Sequence, residues 1–138
     1  MKTNLDADFK TNPNLEKEGV DIVIRERTDA NPVALSFRVR RFNSTNPRVK
    51  AAMAAYYKPH ARQIDMGTLD PSISEEINRK VFVDVCLASW EGVEGDGVPL
   101  ECNRENALNL FRHLPDLFDT LWRAANSMEN YKEVLGNS

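Results

Sequence analysis

The stretch GVDIVIRERTDANPVALSFRVRRF, residues 19–42, decides the fold class. After Gly19, Val20, Ile22 and Ile24 alternate with Asp21, Val23 and Arg25. Beyond a polar stretch from Thr28 to Pro32, Leu35, Phe37 and Val39 alternate with Ser36, Arg38 and Arg40. Extended chain sends successive side chains to opposite faces, so each run predicts a strand with one face in the core. Neither run contains proline, and the short connection predicts an antiparallel hairpin.

Upstream of Gly19 the chain is polar and without periodicity, and Asn12-Pro13-Asn14 is turn-like, so residues 1–18 predict a flexible N-terminal arm. Downstream, the periodicity changes from two to 3.6. Asn46-Pro47 predicts a helix start, because Asn caps orphan amides and proline at the first helical position loses no needed donor. That helix is expected over about 47–65, kinked at Pro59, with Ala51, Ala52, Ala54 and Ala55 as a small-residue face. Asp70-Pro71, with Ser72 and Glu75 at capping-box spacing, starts a second helix over about 71–91, in which Ile73, Ile77, Val81 and Val85 recur every four residues toward Trp90. Gly92, Gly95 and Gly97 break it, and Asp96-Gly97 predicts a tight turn. Asn103 caps a third helix near 104–114. A fourth is expected near 116–132, with Leu117, Leu121, Ala125 and Met128 as its stripe and Trp122 beside it. The expectation is α+β: an N-terminal antiparallel hairpin, about four bundled helices and a small glycine-rich turn between helices two and three. Residues 19–132 form the single domain, and 133–138 fray.

A length of 138 residues with 41% hydrophobic and 28% charged side chains supplies one modest core and excludes disorder or a disulfide scaffold. The longest apolar run, Ala51 to Tyr57, falls far short of the roughly 20 residues that cross a bilayer. With two cysteines and no secretory stretch at the start, a reducing cytoplasm is the expected compartment, without membrane association. Charge is unevenly placed: residues 21–62 carry nine Lys or Arg against three acids, and residues 63–138 carry six against fourteen. A basic front and an acidic back favour head-to-tail self-association or an acidic partner. Arg38 and Arg40, on the polar side of their strand, are candidate contacts whose reversal to Glu should leave the fold intact.

Enzyme chemistry finds little support. Cys86, Cys102, His60 and His113 match no zinc spacing, and no nucleophile elbow, P-loop or dinucleotide fingerprint occurs. Glu75 and Glu76 sit where the helix dipole alone favours acids. The sequence thus offers no catalytic, cofactor-binding or metal-binding residues. The basic hairpin could track phosphates, but Phe37 alternates onto the apolar face and the isoelectric point is about 5.4, which disfavours nucleic acid. The remaining candidates are partner-binding: Arg38, Arg40, Arg41, Ala51, Ala55, Trp90 and Trp122.

The segments KEGVDIVI (17–24), FRVRRFN (37–43), WEGVEGDGVPL (90–100) and NRENALNLFRHLPDLFDTL (103–121) resemble the tail assembly chaperones of long-tailed bacteriophages and prophages. The most specific part is a tryptophan, an acidic glycine-rich turn with Pro-Leu, then Arg-Glu-Asn-Ala-Leu and Leu-Pro-Asp-Leu-Phe. The resemblance implies a non-enzymatic role in the host bacterial cytoplasm: holding the tape measure protein until the tail tube assembles around it, as an oligomer, without a cofactor. It also implies contact with tail tube protein and a frameshifted longer form. Leu135-Gly136-Asn137, on a G-GGA-AAC message, would provide the slippage site for that form. The rivals are a structural or head–tail connector protein retained in the virion, and a nucleic-acid-binding accessory protein.

Overall fold

Four caps set the helix starts. The side chains of Asn12, Asn46, Asp70 and Asn103 accept hydrogen bonds from the backbone N–H groups of Asn14, Arg48, Ser72 and Asn106, at 2.8–2.9 Å. Pro13, Pro47 and Pro71 follow three of them at the first helical position. In the computed structural model, which describes residues 1–43 and 45–132, the helices are α1 (Asp6–Phe9), α2 (Pro13–Glu18), α3 (Pro47–Tyr57), α4 (Ala61–Met66), α5 (Pro71–Val81), α6 (Arg104–His113) and α7 (Pro115–Asn126). A tight turn, Lys58–His60, joins α3 to α4 at Pro59, the expected kink. The strands are β1 (Val20–Arg25), β2 (Leu35–Val39), β3 (Leu87–Glu91), β4 (Glu94–Gly95) and β5 (Val98–Pro99).

The fold is α+β, as the alternation predicts, but the layout differs from a hairpin followed by four helices. The sheet has three antiparallel strands in the order β1-β2-β3. The predicted helix over 71–91 ends at Val81, passes through one wide π-type turn (Phe82–Cys86) and becomes β3. Phe82, Val83, Val85 and Cys86 are all buried and only Asp84 is exposed, and beyond them the chain turns extended because β2 offers a free side, where Leu87 pairs with Val39 and Trp90 with Phe37. Trp90 is therefore a strand residue opposite Phe37.

Phe37 and Val39 point from central strand β2 into the core, where Phe37 meets Phe111, and Phe82, Phe111 and Phe118 pack ring on ring at 5.5–5.7 Å between centroids. The opposite face carries Asp21, Val23, Ser36, Arg38 and Ser89. A bulge between Val23 and Arg25 interrupts the alternation predicted for β1: Arg25 comes opposite Leu35, and Ile24 is left 37% exposed.

Two further corrections concern the ends. The last helix stops at Asn126, and residues Met128–Tyr131 form a short turn whose Tyr131 is fully buried. Residues 1–18, expected as a flexible arm, contain α1 and α2, and α2 is tied in. Asn12 N–H donates to the Tyr131 carbonyl at 2.8 Å, Thr11 pairs with Lys132, and Glu16 receives Arg41 at 3.1 Å. The expected frayed end and the Leu135–Asn137 slippage reading lie outside the described residues.

Candidate functional site

The three candidate arginines are each taken up internally. Arg38 makes a two-pronged pair with Asp21 across β1 and β2, Nε to Oδ1 at 3.1 Å and Nη2 to Oδ2 at 3.2 Å. Arg40 donates from Nε to the Lys17 carbonyl at 3.0 Å and from Nη1 to the Val85 carbonyl at 3.5 Å. Arg41 Nη1 reaches Glu16, while its Nε is buried without a hydrogen-bond partner among the described residues. Reversal of Arg38 or Arg40 therefore breaks an intramolecular contact as well as changing the surface charge. Exposed positive charge runs along α3, the connecting turn and α4, at Arg48, Lys50, Lys58 and Arg62.

On α3, Ala51, Ala54 and Ala55 are exposed, and Val49 is the one fully buried residue of the helix. Beside them a cleft of about 530 Å³ runs between α3 and α5, lined by Ala55, Tyr56, Pro59, Ile73, Ile77 and Lys80. Tyr56, on its wall, also enters contacts that the sequence does not announce. The Tyr56 hydroxyl donates to Asp84, and Arg104 donates to Asp84 at 2.8 Å and to the Tyr56 oxygen at 3.1 Å. The bond to Asp84 and partial burial raise the Tyr56 pKa, and the Arg104 pKa rises for the same charge. This knot ties α3, the π-type turn and α6 together. Its one trace in the sequence is a lone acid within the apolar run VFVDVCL.

Glu76, on α5, accepts from Arg79 at 3.2 Å and from Arg112 of α6 at 2.9 Å. Burial pushes its carboxyl pKa up, but the hydrogen bonds from Arg112 and Arg79 outweigh that and hold it below its ordinary value. The pair therefore contributes stability above the unfolded pKa of about 4.3, and loses it as pH falls through the lower folded value. Glu76→Gln should accordingly lower Tm at neutral pH, with the gap to the parent closing as the pH drops toward about 3. Calorimetry across that range checks it; a gap that is constant with pH would refute it.

A larger groove, about 830 Å³, opens where the β1–β2 loop, the end of β3 and the β4–β5 hairpin meet. Its floor is apolar, made by Leu35, Trp90, Val93 and Leu100, and its rim carries Glu26, Glu91 and Glu94 against Arg25. Trp90 is locked in place: its indole N–H donates to the Leu100 carbonyl at 2.8 Å, and its ring meets Phe37 edge-on at 5.9 Å. Trp122 is half-buried against Phe42 at 4.4 Å and Phe118 at 5.7 Å, within the molecule. The candidates thus fall on separate elements: Trp90 belongs to the groove, Ala51 and Ala55 to α3, and Arg38, Arg40, Arg41 and Trp122 to internal contacts. Cys86 and Cys102 are free thiols, and burial pushes Cys86 up to about 12, which makes it a poor nucleophile.

Among the described residues no helix is long and apolar enough to cross a membrane, and no three His, Cys, Asp or Glu side chains gather so as to hold a metal ion. No curated protein and no solved structure matches the chain. A model of the YdaY prophage protein family matches residues 44–135, the segment that runs from the start of α3 through β3 and the β4–β5 hairpin to the C-terminal helices. With most of its length inside that match, the chain belongs to the YdaY prophage protein family.

Proposed function

We propose that this chain is a non-enzymatic tail assembly chaperone, which holds the tape measure protein of its phage in the host cytoplasm until the tail tube assembles around it. Membership of a prophage family supports the phage setting, and the resemblance of residues 17–121 to tail assembly chaperones supports the role. The observation that carries the reading is the uncovered small-residue face of α3. Ala51, Ala54 and Ala55 are exposed, so a client helix can approach the backbone of α3 closely, with the α3–α5 cleft taking its larger side chains.

Co-expression with the tape measure protein tests it. The client should become soluble and co-purify with this chain, and Ala51→Glu/Ala55→Glu should cut recovery at least tenfold while leaving the circular dichroism and Tm unchanged. A client that stays insoluble, or co-purifies equally with the variant, would overturn the reading. Recovery of the chain in purified virions would instead favour a retained structural protein, and salt-sensitive DNA binding an accessory nucleic-acid role.

A further inference from the structure

Among the described residues two surfaces are left without an intramolecular partner, and their chemistry is complementary. The first is α4, every residue of which is exposed, including Ile64 at 45% and Met66 at 63%. Two large apolar side chains on a single exposed turn of helix lack the burial that normally stabilises so short an element. Its charge is mostly positive, from Lys58 at its base and Arg62 on its first turn, against Asp65 alone. The second is the Trp90 groove, with its apolar floor and a rim of Glu26, Glu91 and Glu94 against Arg25.

We propose that α4 of one copy docks in the Trp90 groove of a second copy. Ile64 and Met66 cover the floor formed by Leu35, Trp90, Val93 and Leu100, and Arg62 and Lys58 face the glutamates of the rim. The two surfaces belong to different parts of the fold, so the contact is head-to-tail, and it propagates into chains of copies unless the rotation closes. The rigid seating of Trp90 by Leu100 and Phe37 gives the groove a preformed floor, which lowers the ordering cost of docking. The contact does not depend on the identity of the client, because neither surface includes the alanine face of α3.

Sedimentation velocity of the full chain tests it. The parent protein should show a concentration-dependent series of oligomers that weakens between about 0.05 and 0.5 M salt, as a charged rim requires. Arg62→Ser/Ile64→Ser, an arm variant, and Glu91→Lys/Glu94→Lys, a groove variant, should each weaken association at least tenfold with unchanged circular dichroism. All four positions are exposed, so the fold does not depend on them. Mixed in equal amounts, the two variants should form a dimer and nothing larger, since one retains an intact groove and the other an intact arm. A parent protein that stays monomeric would overturn the proposal and leave the groove to another partner. So would variants that associate like the parent, or a mixture that remains monomeric.

Discussion

Replacing Gly92 with alanine is expected to remove about 2–4 kcal/mol of stability, because two penalties fall on one residue. Gly92 has φ +82°, in the left-handed region that L side chains rarely adopt, and a Cβ there would lie 2.5 Å from the Ala34 carbonyl oxygen and 3.1 Å from the Leu35 Cα. Those neighbours are backbone at the start of β2, so relief requires β3 to lift away from the central strand, and Trp90 lies two residues before the point of lifting. Gly97 provides the control. Its φ is +79°, but nothing lies within 4 Å of the position a Cβ would take, so Gly97→Ala should cost only the conformational term, about 1–2 kcal/mol. Urea denaturation of both variants measures the difference. Equal losses would show that the close approach of β3 to Ala34 is not a constraint in solution.

Tyr131→Ala should be costlier still, about 3–5 kcal/mol by analogy with other buried aromatic truncations. The side chain is fully buried, and its hydroxyl donates to the Val39 carbonyl at 3.0 Å, so its loss opens a cavity beneath the central strand and orphans a buried acceptor. Tyr131→Phe separates the two effects, since it keeps the ring and should cost only about 1–2 kcal/mol. The burial that pushes the Tyr131 pKa upward also keeps this hydroxyl protonated, so its bond persists to high pH. Denaturation midpoints at constant m-value check the pair. Tyr131→Ala within 1 kcal/mol of the parent would mean that the C-terminal turn is not packed against the sheet.

Helix starts were legible because their cause is local: an Asn or Asp side chain bonds an amide two or three residues ahead, and both partners lie in one short window. The hairpin was legible for the same reason, since alternation needs no distant information. β3 was not legible. Val81, Val85 and Ser89 continue a four-residue spacing that suits a helix, and a short apolar run cannot be told from a buried strand by period alone. What ends the helix is the vacant side of β2, where Val39 pairs with Leu87 and Phe37 with Trp90, a demand made by residues some fifty positions away. The site shows the same divide. Alternation placed Arg38 on the polar face of its strand, but Asp21, Glu16 and the carbonyls that receive the arginines are 17 to 45 residues distant, so their commitment was invisible. The Trp90 groove draws on three separate segments, and although Leu35 and residues 90–100 each carried a local signal, nothing local joined them into one surface.

The late arrival of β3 also bears on synthesis. A chain leaving the ribosome completes β1 and β2 first, and the second neighbour of β2 is made about fifty residues later, several seconds at ~5–20 residues per second. Until then one side of the central strand has open hydrogen-bonding groups beside Phe37 and Val39, the condition in which strands recruit the wrong partner. A nascent chain paused between α3 and α5 therefore shows the ribosome-bound environment a half-built ladder, and the sheet closes only once the segment after Cys86 turns extended.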